Sequence, residues 1–124
     1  MKSEGRRNSY RDLIVWQKSM QLVKDIYEIT KNFPQEEKFG LTSQIKRAAV
    51  SIPSNIAEGR GRETNKDFIY FLRIALGSLY ELQTQIELSY ELGFINNVTT
   101  MNQISLEIEK MINALISTKK DNNE

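Results

Sequence analysis

The sequence predicts an all-α fold, an antiparallel up-down-up-down four-helix bundle. Three observations predict it. Apolar residues recur at three-and-four spacing in four separate stretches, the mark of amphipathic helices. Short breaks holding Pro34, Gly59 and Gly93 divide those stretches, and short connections make successive helices antiparallel. No stretch alternates apolar and polar residues as a half-buried strand does. At 124 residues the chain fits one domain, 1–124.

The first helix is expected over 13–33. Leu13, Trp16, Met20, Val23 and Tyr27 step by three and four, and Val15, Leu22, Ile26 and Ile29 widen that stripe. Asp12 is the expected N-cap, and Pro34 stops the helix after Phe33. PQEEKFG then reads as a turn, with one helical turn started by Pro34. The second helix is expected over 41–58, with Leu41, Ile45, Ala48 or Ala49, Ile52 and Ile56 as its stripe. Gly59 is placed as the C′ residue, where a positive φ is cheap only for glycine. Pro53 lies on that stripe, lacks a donor and crowds the Ala49 carbonyl. Because Ile56 and Ala57 keep the period, a kink at Pro53 is expected over a break with Ser51 as local cap.

The third helix is expected over 65–92. Thr64 can cap the Asp67 N–H while the Asp67 carboxylate offsets the helix dipole. Its seam is Phe68, Leu72, Ala75, Leu79, Leu82 and Ile86, and Gly93 ends it. The fourth is expected over 101–118, opened by Thr100 with Gln103 completing a capping box. Met101, Ile104, Ile108, Met111 and Leu115 form its seam. Residues 1–9 and 119–124 are expected to be flexible tails.

FIYFLRIALGSLYEL carries more apolar surface than one stripe needs. A helix apolar round most of its circumference is buried on most sides, and in a small bundle the second covering surface is another subunit. A homo-oligomer built on helix 3, helped by Leu13 to Trp16 of helix 1, is therefore expected.

Composition removes several classes of function. The chain has no cysteine, hence no disulfide framework and no thiolate metal site. It has no histidine, which removes the commonest general base and metal ligand, and the Glu-x-x-His motif of di-iron bundles. No catalytic residue, cofactor or metal is therefore assigned, and a non-enzyme is expected. No apolar run approaches the ~18 residues of a membrane span. MKSEGRRNSYRD has no apolar signal-like core, so a cytoplasmic, bacterial-type protein is expected.

Net charge is only +1, but it is uneven. Lys38, Lys46, Arg47, Arg60, Arg62, Lys66 and Arg73 crowd the middle of the chain, and Arg6 and Arg7 its start. Glu81, Glu87, Glu91, Glu107 and Glu109 follow. Such asymmetry marks either a polyanion-binding face or a bundle whose halves attract each other. GRGRETNK, before helix 3, is either a helix stop with a solvated basic turn or a phosphate contact at a helix N-terminus. Beside the apolar stripe of helix 2 run Gln44, Ala48, Ser51, Asn55 and Glu58, and Ser78, Glu81 and Gln85 make a similar line on helix 3. These lines are a polar layer between helices, a solvated face, or a site. Glu58 and Glu81 with Asn55 could in principle hold Mg²⁺ for a carboxylate nuclease.

DLIVWQKSMQLV, FPQEEKFGLTSQIKRAAVSIPSNIAEGRGR and DFIYFLRIALGSLYELQTQIELSYELGF together resemble a known family: the four-helix-bundle proteins encoded in intervening sequences of bacterial 23S rRNA genes. The likeness spans roughly residues 10 to 95, and the final helix matches only in pattern. Related proteins include the accessory variability factor of diversity-generating retroelements. The resemblance implies a bundle assembled as a ring, a homopentamer, that binds nucleic acid, above all RNA, with no established catalysis. Some relatives carry ribosomal-protein labels, which their gene location explains better than a place in the ribosome. The family motif covers Gln44, Arg47, Ser51, Asn55, Glu58, Gly59, Ser78 and Glu81. Its polar members coincide with the two polar lines, which favours an inter-helix network of Gln44, Ser51, Asn55, Glu58, Ser78 and Glu81 that fixes register.

The expected function is an oligomeric RNA-binding protein contacting phosphates through Lys46, Arg47, Arg60, Arg62, Lys66 and Arg73. The alternative is a scaffold that docks an RNA-processing enzyme or a reverse transcriptase.

Overall fold

A computed structural model describes residues 9–122, so the expectation for the tail at 1–8, with Arg6 and Arg7, and for residues 123–124 lies outside the described residues. Four helices carry the fold: α1 (Ile14–Thr30), α2 (Leu41–Arg60), α3 (Asn65–Glu91) and α4 (Thr99–Asn122), with 3₁₀ turns at Tyr10–Asp12 and Gln35–Glu37. Each helix packs on its two neighbours in a closed cycle, α1 on α2 and α4, and α3 on α2 and α4. That is the four-helix all-α architecture the sequence predicts.

The core is aliphatic. Ile45, Ala49, Ile52 and Ile56 of α2 and Leu72, Ala75, Leu79, Leu82 and Ile86 of α3 are buried, as their spacing requires. On α1 the buried line is Val15, Ser19, Leu22, Ile26 and Thr30, so the residues expected to widen the stripe form its centre. Met20 and Tyr27, expected in the seam, are exposed. On α4 the seam runs through Met101, Ser105, Ile108, Ile112 and Ile116, rotated from the expected line, with Ile104, Met111 and Leu115 half-buried at its edge. In both helices the cause is a buried hydroxyl. Ser19 Oγ donates to the Val15 carbonyl at 2.7 Å and Ser105 Oγ to the Asn102 carbonyl at 3.1 Å. A serine satisfied by its own helix can sit in an apolar core, and Ser105 Oγ also accepts from Gln83 Nε2 of α3 at 3.4 Å.

Helix ends follow the local chemistry, with corrections. Thr64 Oγ1 accepts from the Asp67 N–H at 3.1 Å, as expected. Gly93 has φ +82 and closes α3, with its own N–H on the Tyr90 carbonyl and the Phe94 N–H on the Ser89 carbonyl, the paired bonds of a Schellman motif. Phe94 then packs on Phe33, ring centroids 5.5 Å apart, and covers one end of the core. The N-cap of α1 is Leu13 rather than Asp12, because Asp12 ends a 3₁₀ turn whose Ser9 side chain accepts from the Arg11 N–H. α1 ends at Thr30, short of Phe33, and Gln35–Glu37 forms the single turn expected after Pro34. α4 begins at Thr99, whose N–H is held by Asn97 Oδ1 at 3.0 Å, so Thr100 lies inside the first turn instead of capping it. At its far end α4 continues through 119–122, which are helical rather than a flexible tail.

α2 runs unbroken through the buried Pro53, so the alternative of a break capped by Ser51 does not hold. Gly59 corrects a second expectation. It is a buried residue of the last helical turn, not a C′ residue, and α2 ends at Arg60 with Gly61 as its C-cap at φ −81. A Cβ at Gly59 would lie 2.7 Å from Phe71 Cβ and 3.2 Å from the Phe68 carbonyl oxygen. Glycine stands there because α3 passes too close for any side chain. Ser51 Oγ and Ser78 Oγ, 2.8 Å apart, mark the same close approach two turns earlier.

Candidate nucleic-acid interface

The fold does not gather the six candidate cations into one patch. Arg60, Arg62 and Lys66 flank the α2–α3 turn, with Arg73 two turns into α3, while Lys46 and Arg47 sit near the start of α2. From Arg47 to Arg60 is about 20 Å of helix. Within the first group the side chains differ in freedom. Arg62 pairs with Glu58 and stacks on Phe71, its guanidinium carbon 4.7 Å from the ring centroid. Lys66 and Arg73 are exposed and form no ion pair among the described residues. The α3 N-terminus itself is served by Thr64 and by the Asp67 carboxylate in its first turn, so a phosphate there would meet a negative charge. Lys119 of α4 lies over Phe68, 5.9 Å from the ring centroid, and with Lys120 adds positive charge at this end.

The expected polar network divides into parts. Ser51 bridges α2 to α3 through Ser78, and Asn55 Nδ2 donates to the Ser51 carbonyl at 2.9 Å and to its Oγ at 3.0 Å. Further along, Gln44 accepts from Arg47, Arg47 reaches Glu81 at 4.0 Å, and Glu81 accepts from Gln85. Glu58 does not join either part; it pairs with Arg62 in the turn that follows α2. Glu81 lies opposite Arg47, about three turns or ~16 Å of helix from Glu58, so the two carboxylates and Asn55 do not converge. Among the described residues no group of three or more acidic, histidine or cysteine side chains could hold a metal ion.

One feature escaped the sequence. Tyr27 at the end of α1, Lys38 and Phe39 in the turn before α2, and Lys46 and Arg47 on α2 line a groove of about 670 Å³. Phe39 is 89% exposed. Lys38 Nζ lies 5.5 Å from the Phe39 ring centroid and Lys46 Nζ 4.7 Å from that of Tyr27. Only the adjacency of Lys38 and Phe39 was visible in the sequence; the rest is brought together through space.

Negative charge collects elsewhere. Glu87 and Glu91 lie on the outer face of α3 near its C-terminus, and Glu109 of α4 accepts from Tyr80 and Gln83. A hydrogen bond shared with Glu91 holds the Glu87 carboxyl above the usual carboxylate range, with slight desolvation and the Glu91 charge adding to it. A raised folded-state pKa means the folded protein binds the proton more tightly than the unfolded chain, so this pair loses stability as pH rises through that pKa. Glu87→Gln is therefore expected to raise the thermal midpoint at pH 7, with the gain shrinking as pH is lowered. Calorimetric scans of both proteins across pH check this; a gain that persists at acid pH contradicts it.

No helix among the described residues is long and apolar enough to cross a membrane. No curated protein matches this chain. A family model described as 23S rRNA-intervening sequence protein matches residues 11–116. The chain is also similar to a crystal structure from Bacteroides thetaiotaomicron, a protein with unknown function from the S23 ribosomal protein family. The two are 31% identical with a TM-score of 0.76, over 84% of this chain and 96% of that one.

Proposed function

The chain belongs to the 23S rRNA-intervening sequence protein family, and we propose that it acts as a non-enzymatic, ring-forming RNA-binding protein of the cytoplasm. The observation that carries this reading is the separation of charge along the bundle. Lys66 and Arg73 of α3 are exposed and lack ion-pair partners among the described residues, and Lys119 and Lys120 close the same end. The opposite end of α3 carries Glu87 and Glu91. A polyanion is drawn to the first end and repelled from that acidic outer face of α3.

Assembly supplies what one subunit lacks. Tyr70 and Ile74 are exposed on α3, as are Leu88 further along it and Ile14 at the start of α1. Covering these apolar residues of α3 and α1 with copies of the chain, five in the ring the family resemblance implies, repeats the basic end around the ring. Repetition then turns weak single contacts into avidity.

Fluorescence anisotropy with a structured RNA, across salt concentrations, tests binding. The expected result is an affinity whose logarithm falls linearly with the logarithm of salt concentration. Binding that ignores salt, or none at low salt, sinks the proposal. Light scattering at micromolar concentration tests the ring, and a monomer there overturns it.

A further inference from the structure

We propose that the groove between Tyr27 and Phe39 takes unpaired nucleotides of single-stranded RNA, with a base stacked on Phe39 and its phosphates on Lys38, Lys46 and Arg47. The inference rests on the RNA-binding reading above and names the class of RNA that this site accepts.

Three observations carry it. First, Phe39 is 89% exposed although it ends an ordered turn. The Gly40 N–H bonds to the Glu37 carbonyl at 2.9 Å and the Leu41 N–H to Glu37 Oε1 at 3.1 Å, so the backbone on the far side of Phe39 is tied down. The ring is thus carried in water on a fixed backbone, which lowers the freedom lost when a flat partner arrives.

Second, both aromatic rings of the groove have an ammonium group within reach, Lys38 at 5.5 Å from Phe39 and Lys46 at 4.7 Å from Tyr27. An apolar partner covering these rings would strip water from two charges without replacing it. A nucleotide offers a base face to the ring and a phosphate to the ammonium together. That pairing of stacking platform and cation is how single-stranded nucleic acid is held without sequence preference.

Third, Arg47 is steered rather than sequestered. It reaches Glu81 only at 4.0 Å and takes a hydrogen bond partner in Gln44, and two-thirds of its side chain remains exposed. It can turn a guanidinium face or edge to a backbone phosphate. A duplex fits this site poorly, since its bases are already stacked and its edges, not its faces, point outward.

The test compares wild type with Phe39→Ser and Phe39→Trp, using a fluorescein-labelled unstructured oligouridine and a blunt-ended, fully paired RNA duplex of equal charge. For Phe39→Ser, affinity for oligouridine is expected to fall about tenfold or more, while duplex affinity, the salt slope and the oligomeric mass stay unchanged. Phe39→Trp is expected to keep oligouridine affinity and to show indole fluorescence quenched on binding, beyond any change from Trp16. If Phe39→Ser binds oligouridine as wild type does, the groove proposal falls while RNA binding stands. Equal losses on both RNAs overturn it in the same way. If Phe39→Ser changes the oligomeric mass, the groove is a subunit contact and the proposal is overturned. If wild type binds neither RNA, the RNA-binding reading fails and takes this one with it.

Discussion

Gly59→Val is expected to destabilise the protein by about 3 kcal/mol, at the upper end of what overpacking usually costs. The reason is the identity of the atoms in the way. A Cβ at position 59 would stand 2.7 Å from Phe71 Cβ, 3.0 Å from Phe68 Cδ1 and 3.2 Å from the Phe68 carbonyl oxygen. The Phe68 ring could turn aside, but Phe71 Cβ and the Phe68 carbonyl move only with the α3 backbone. Relief therefore requires α2 and α3 to part, and the Ser51–Ser78 bond resists that movement. Better helix propensity returns only a few tenths of a kcal/mol for valine over glycine. In urea titrations the midpoint should fall while the slope stays near wild type. Gly61→Ala is the control two residues away. Its backbone is already α-helical at φ −81, and the nearest atom to a new Cβ is an ordinary 3.6 Å off. It should gain about 0.5 kcal/mol by restricting the unfolded chain. Were Gly59→Ala stabilising in the same way, the close approach of α3 to Gly59 would be wrong.

That pair shows what the sequence could and could not say. A glycine at the end of an apolar stripe fits two demands, a left-handed cap and a helix crossing, and both ask only for the absence of Cβ. The spacing of Ile45, Ile52 and Ile56 could not choose between them. The seams of α2 and α3 were legible because every buried position but Ser89, Pro53 and Gly59 is an aliphatic, alanine or phenylalanine. Those of α1 and α4 were displaced because Ser19, Thr30 and Ser105 hold core positions with hydroxyls bonded to their own helices. A pattern that counts only apolar residues passes over them and drifts to Met20 and Tyr27. Of the apolar excess in FIYFLRIALGSLYEL, Ile69 and Leu76 tuck against the core, while Tyr70, Ile74 and Tyr80 are exposed.

The candidate site was less legible than the fold, for a physical reason. Charge can be counted along a chain, but ion pairing is settled in space. Arg62 looked equivalent to Lys66 until the turn placed it against Glu58 and Phe71. Tyr27 and Lys46 belong to different helices and meet only because the turn at Gln35–Glu37 folds α2 back along α1.

Lys66→Glu with Arg73→Glu is expected to weaken binding to structured RNA roughly a hundredfold at low salt, about 2.7 kcal/mol. Each substitution removes a phosphate partner and adds a repelling charge. Neither residue has an ion pair to lose among the described residues, and both are exposed. The fold should therefore be untouched, and circular dichroism and the urea midpoint should match wild type within about 0.5 kcal/mol. The plot of log affinity against log salt should also flatten, by about 0.7 to 0.9 for each phosphate partner removed. Arg62→Glu alone is expected to behave differently. It breaks the pair with Glu58 and the stack on Phe71, so its first effect is on stability, with a smaller loss of RNA affinity. The ordering of the three single Glu variants is the decisive result, because a basic end that works by net charge alone would give each the same loss. A ring that presents free cations ranks Lys66 and Arg73 above Arg62. If the double variant binds RNA as wild type does while the Lys38, Lys46 and Arg47 end still matters, the proposed interface shifts wholly to the groove. If neither end matters, the charge separation of the bundle is an internal attraction between its halves and not a surface for RNA.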